Sequence, residues 1–419
     1  MLRQSGKLIP QTAWISFGLA ILLAGCAQPT VVVAPTNPTG PSPQPSRSAV
    51  VLSVPIDATR PALVTQVDVF GETVTGQANV GPQTPPALQP TVSSTALSLA
   101  PGGTPLATAN SDGTISTVGV GGQQLQTRNV ATSSLPSNGV AASVLSLNSV
   151  LYASEPARNA VAVLVPTSSG SAAPPAVKTE IPVGTNPVYV VGVQGTQRVY
   201  AINQGDNTVT AIEVSNNTIS ATLPVGAMPV YGVEAANGRR AFIMNKAGNS
   251  VTVIDTQQNT AQLTIPVGVA PVWADVDQTG NQLVVANSGS NSVTIINIAL
   301  DVFGNNAPGF GTAVTVPVGA NPVAVSVLQD GTRAYTANQA DGTISVVNLQ
   351  SKTLVHTITL PAANGHPTSI AATSGTPKGL VFVTSPDSQL LSIIRTDTDA
   401  LDASLQVNGA GKAVRVTAP

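Results

Sequence analysis

The chain has 419 residues, with 17 Lys and Arg against 19 Asp and Glu, so its net charge is only −2. That balance offers no basic footprint, and nucleic acid is not an expected partner. A single cysteine excludes an internal disulfide and any zinc or iron–sulfur site built on several thiolates. Charged residues make up 9% and aromatics 3%, so the surface must be covered mainly by Thr, Ser, Asn, Gln and Gly.

The first 25 residues read as a secretory signal: Arg3 and Lys7 form a positive start, and the uncharged run "WISFGLAILLAG" follows. The run ends in "LLAGC", where Ala24 and Gly25 before Cys26 resemble the lipobox of bacterial lipoproteins. The resemblance implies that Cys26 is lipidated and becomes the mature N-terminus; a plain signal peptide or signal anchor with a chance cysteine is the alternative. Residue 27 is Ala rather than Asp, which by the same resemblance favours the outer membrane or cell surface. Residues 26–48 are rich in Pro, Thr and Ser and read as a tether. Residues 49–94 are expected to supply N-terminal strands and a linker that help close the fold, and 95–419 the main body.

That body repeats itself. "PVGTNP" (182–187), "PVGAMP" (224–229) and "PVGVAP" (266–271) are spaced 42 apart, "PVGANP" (317–322) follows after 51, and a degenerate "PAANGHP" (361–367) comes last. The longer interval holds an insertion, "ALDVFGNNAPGFG". A second phrase keeps step, ending at Asn203, Asn245, Asn287 and Asn338, with weaker versions ending at Asn110, Ser154 and Ser385. Each unit holds four short runs rich in Val, Ile and Thr, separated by Gly, Asn and Asp, which is a strand-and-turn pattern. Four antiparallel strands in about 42 residues, repeated, predict an all-β propeller of four-stranded blades. Seven copies of the second phrase point to seven blades ahead of six or eight; a β-solenoid is the rival architecture.

"VYAINQGDNTVTAIEV" and "AYTANQADGTISVVNL" resemble the YVTN-type β-propeller repeats of secreted bacterial and archaeal proteins, most clearly over 181–350. The resemblance implies a propeller in an extracytoplasmic setting. It implies no single activity.

If the strands of a blade are A to D, antiparallel connectivity puts the B–C and D–A loops on one face and the A–B and C–D loops on the other. The first face is expected to gather Asn203, Asp206, Asn245, Asn287 and Asn338, either as candidate ligand contacts or as turn chemistry. Two residues after the loop proline stand Tyr189, Tyr231 and Trp273, in three successive blades and one register; the next two copies have Ala324 and Ser369 there. In a chain with two Trp and five Tyr, this arc is the foremost candidate ligand-binding feature, stacking on a sugar, a peptide or a planar cofactor. Packing between blades is the alternative. Asp275 and Asp277 follow on alternate positions and are expected to add negative charge to the channel.

Catalytic and metal-binding patterns are sparse. The two histidines, His356 in a strand-like run and His366 in a loop, make a poor metal site. Neither G-x-S-x-G nor H-E-x-x-H occurs. No catalytic residue, metal or cofactor is expected. The sequence thus favours a lipid-anchored binding or scaffold module for an envelope protein or glycan. A propeller enzyme of lactonase-like or cofactor-dependent dehydrogenase type is the alternative.

Overall fold

The computed structural model describes residues 48–54, 62–68, 73–80, 94–99, 106–121, 124–136, 139–167, 174–373 and 379–416. The leader, Cys26 and almost all of the tether expected from the sequence lie outside them.

Blade 4 shows how the repeat becomes structure. Its strands A to D are Pro229–Glu234, Arg240–Asn245, Ser250–Asp255 and Thr260–Pro266, joined by tight turns. Every residue of B and C is buried, because both faces of the sheet are covered by neighbouring blades. D, at the outer edge, is exposed except for Ile265, which is why its sequence can be as polar as "TAQLTIP". The B–C turns of blades 3 to 6 each hold one left-handed residue at the same place, Asn207, Asn249, Asn291 and Gly342, with φ between 48° and 68°. Only Gly, and Asn at small cost, adopt that region readily, so the turn dictates the residue type.

Apolar clusters fill the wedges between blades rather than one central core. Phe242, Met244 and Val251 of blade 4 pack with Ala274, Leu283 and Val285 of blade 5. Each sheet therefore buries both faces only when flanked, and the repeat is obligatory.

Among the described residues there are eight such sheets, not seven. Blades 1 to 7 occupy 94–134, 143–182, 187–224, 229–266, 271–317, 322–359 and 369–406. Blade 8 is assembled from both ends of the chain: Ala410–Val416 is its strand A, and Ser48–Val54, Ala62–Asp68 and Thr73–Val80 are B, C and D. The count of seven followed a phrase carried by strand B, and strand B of blade 8, "SAVVLSV", does not carry it; its strand A comes from the other end of the chain. Of the segments expected to close the ring, 413–418 lies largely in strand A and 62–70 in strand C. The partner across the closure is Ser48–Val54, in register from Ala49↔Val416 to Val54↔Ala410. Innermost strands of successive blades touch around the whole ring, including blade 8 against blades 7 and 1.

The free inner edges of strands A leave backbone N–H groups without a ladder partner, and side chains of adjacent blades accept from several of them. Gln194 N donates to Glu234 Oε2 (3.3 Å), Val327 N to Asp275 Oδ2 (2.8 Å), Ala372 N to Ser326 Oγ (3.0 Å) and Val414 N to Ser369 Oγ (3.2 Å). Each bond ties one blade to the next at the channel wall, where an unpaired donor would otherwise be costly.

Candidate functional site

The repeated asparagines are not presented to a ligand. Asn203, Asn245, Asn287 and Asn338 are completely buried. Each Nδ2 donates to two hydroxyls of its own strand C, as in Asn245 to Ser250 Oγ (3.1 Å) and Thr252 Oγ1 (2.9 Å); Asn203, Asn287 and Asn338 repeat the pattern. The loop glycines Gly184, Gly226, Gly268 and Gly319 lie so close to these amides that a Cβ would fall within 2.7 Å of them. The Asn and the Gly of "PVG" thus recur together as one packing unit. Asp206, on the exposed loop, accepts from Thr185 N (2.8 Å) and Thr208 Oγ1 (2.7 Å). The four asparagines are therefore corrected from open loop positions to buried blade positions, while Asp206 stays exposed on the loop.

Asp277 is also corrected: it is buried at the A–B turn of blade 5, accepting from Asn281 N, Gln282 N and Thr279 Oγ1, and does not charge the channel. His356 is an exposed strand residue. His366 pairs with Asp387 at the surface.

The aromatic arc does converge. A β-bulge after Pro187, Pro229 and Pro271 shifts the register of each strand A before the aromatic, and bulges re-aim side chains. Tyr189 and Tyr231 have ring centroids 4.7 Å apart and tilted by 48°; Tyr231 and Trp273 stack at 4.1 Å and 20°. The Arg415 guanidinium lies 5.2 Å over the Trp273 ring. Trp273 belongs to blade 5 and Arg415 to blade 8, so the two meet across the axis of the ring. The four side chains form one row through the channel, and all are half-buried. Burial raises both tyrosines above the usual phenol range, so they remain neutral donors near Arg415. Asp275 lies in the same wall; desolvation pushes it up to about 6 against the opposing pull of the Val327 and Val276 N–H groups. Arg415 was missed from sequence, although a lone cation in the apolar run "AVRVTA" was its visible signal.

A second group was hidden by a one-residue slip. Strand register places Glu155, not Ser154, at the recurring Asn position, since Glu155 faces Ala160 as Asn203 faces Thr208. The hydroxyls that would bind an Asn are replaced by Ala160 and Ala162. Glu155 is fully buried and neither carboxylate oxygen has a hydrogen-bond partner. Desolvation, reinforced by the neighbouring Glu180, pushes it up to about 7, and Arg158, 3.9 Å away, lowers it only in part. Glu234, in the channel wall, is likewise raised to about 7 by desolvation.

These shifts set a pH dependence. A carboxyl whose folded pKa is raised binds more protons folded than unfolded between its unfolded value and its folded one, so stability falls as pH rises through that window. For Glu155, Glu234 and Asp275 the window runs from about 4 to 7. The protein is expected to be more stable at pH 5 than at pH 8. Glu155→Gln should gain about 2 kcal/mol at pH 8 and little at pH 5, read by urea melts at the two pH values. Equal effects at both would show that Glu155 does not titrate in this window.

No family model matches the chain, and no curated protein matches it. Solved structures do. A protein from Lactobacillus plantarum is 14% identical, with a TM-score of 0.56 over 89% of this chain and 99% of that one. Dihydro-heme d1 dehydrogenase NirN in complex with DHE is 12% identical, with a TM-score of 0.62 over 89% of this chain and 76% of that one. Hydrazine synthase from Kuenenia stuttgartiensis is 17% identical, with a TM-score of 0.42 over 52% of this chain and 65% of that one, too loose to inform the fold. At these identities the likeness establishes one thing about the chain, that it is a β-propeller.

Proposed function

We propose that the chain is a lipid-anchored binding or scaffold module of the cell envelope, tethered through Cys26 and binding a protein or glycan through a loop face. The observation that carries this reading is the row Tyr189–Tyr231–Trp273–Arg415. Ring faces that stack on one another and on a guanidinium are not free to stack on a ligand, so the rigid loop faces are the surfaces left for recognition. A photo-crosslinking residue at the exposed Ala247, on the B–C face, or at the exposed Gln257, on the C–D face, tests it in cells. One face is expected to give a reproducible adduct with an envelope component, and Cys26→Ser to release the protein from the membrane fraction. No adduct from either face would remove the binding-module reading.

A second reading draws on the same channel. Three aromatic rings beside a cation suit a planar anionic cofactor if the row parts to admit it, and NirN, a fold relative, is a complex with DHE. A stoichiometric visible chromophore in protein purified from its native host would favour this reading over the first.

A further inference from the structure

The insertion that broke the 42-residue spacing forms an ordered finger in the C–D connection of blade 5. Its base is closed by an antiparallel bridge, Leu300↔Asn306. The Asp301 carboxylate accepts from Phe303 N and Asn305 N, both at 2.9 Å, and Asp301 N donates to Asn305 O (2.8 Å). Two arginines of blade 4 hold the finger from the side: Arg239 Nη1 donates to Phe303 O (3.0 Å), and Arg240 Nη2 to Gly304 O (3.2 Å) and Asn306 Oδ1 (2.9 Å). Arg240 is itself fixed by Asp255 at 3.0 Å. This scaffold holds Val302 and Phe303 at the tip, 92% and 80% exposed, whereas no other large apolar side chain among the described residues exceeds 55%. Two adjacent apolar side chains held rigidly in water are unfavourable unless something covers them.

The topology says which surface the tip faces. Strand B of a blade begins on the A–B and C–D face, so the chain enters blade 8 at Ser48 on the finger's face. A chain anchored at Cys26 has 21 residues before Ser48, about 75 Å at full extension, and this tether joins the ring on the finger's face. The face is also suited to a lipid surface in charge. Four of its arginines pair with carboxylates, Arg198 with Glu213 (2.5 Å), Arg333 with Asp399 (2.6 Å), Arg395 with Asp397 (2.8 Å) and Arg240 with Asp255 (3.0 Å), while Arg239 is held on the Phe303 carbonyl.

We propose that the Val302–Phe303 tip inserts into the membrane to which the chain is tethered, making a second, peripheral contact that sets the propeller's orientation with the B–C and D–A loops turned outward. The inference rests on the anchored reading above, and its test separates the two. The full chain is coupled through Cys26, its sole thiol, to maleimide-bearing vesicles of phosphatidylethanolamine and phosphatidylglycerol containing brominated acyl chains. Coupling places the propeller at a bilayer whether or not Cys26 is lipidated in the cell, and membrane fractionation of the uncoupled chain reports on lipidation separately. In a background freed of the two native tryptophans (W14F and W273F), V302W emission is expected to be quenched about twofold, that of A247W on the opposite face to stay unchanged, and F303D added to V302W to lose the quenching. Equal emission of V302W and A247W on brominated and ordinary vesicles would overturn the proposal. So would a concentration-dependent dimer, formed without vesicles and abolished by F303D, since it would assign the tip to a second copy of the chain.

Discussion

Deletion of residues 410–419 is expected to destabilise the protein by more than about 5 kcal/mol, a large part of what holds a typical domain folded. The deletion removes the innermost strand of blade 8. Six paired positions with Ser48–Val54 are lost, each ladder bond contributing about 1 kcal/mol net. Val414, fully buried among Ala49, Val51 and Phe382, leaves a gap between blades 7 and 8. The edges of blades 7 and 1 then face an opening rather than a neighbour, and Arg415 no longer crosses the channel to Trp273. An open ring with unpaired strand edges is also prone to edge-to-edge association. A thermal melt and size-exclusion chromatography check both effects. A truncated chain that melts with the parent and stays monomeric would show that the closure contributes nothing.

Trp273→Ala is expected to cost about 2–4 kcal/mol, somewhat below the range for a completely buried tryptophan because Trp273 is half-buried. The indole stacks on Tyr231, lies under Arg415 and packs on the apolar clusters of the wedges beyond blade 5. Its removal leaves a cavity and a cation without its partner ring. Trp273→Phe should recover most of the loss by restoring a ring to the stack. The contrasting case is an aromatic at an open mouth, where truncation changes stability by no more than about 0.5 kcal/mol. A urea melt therefore distinguishes a packed row from a vacant binding platform before any ligand is known.

Much of the architecture was readable along the chain because a propeller is built from local rules. Strand length, the Asn or Gly that a left-handed turn position requires, and the return of Gly and Asn at fixed spacing are each short-range consequences of one blade. They were enough to assign an all-β propeller of four-stranded blades, to locate the insertion at 299–311 and to single out Tyr189, Tyr231 and Trp273 as one set. The residues bound to repeat within the blade, such as Asn245, were also visible, but their role was not. An exposed loop Asn and a buried one that clamps two hydroxyls have the same letter, and only burial separates them.

What the tertiary structure alone decided depends on contacts between segments far apart in sequence. The eighth blade joins residues 48–80 to 410–416, and a count of repeated phrases cannot register a blade whose innermost strand comes from the other end of the chain and whose strand B, "SAVVLSV", lacks the phrase. Arg415 meets Trp273 across the axis, a contact set by the number of blades and therefore invisible until the ring is closed. Glu155 differs from its neighbour Ser154 by one position, yet a one-residue change of register moves a side chain to the other face of its strand. Local periodicity determines what each blade is; closure of the ring determines which side chains share the channel, because distance across the axis is a property of the whole circle and of no single repeat.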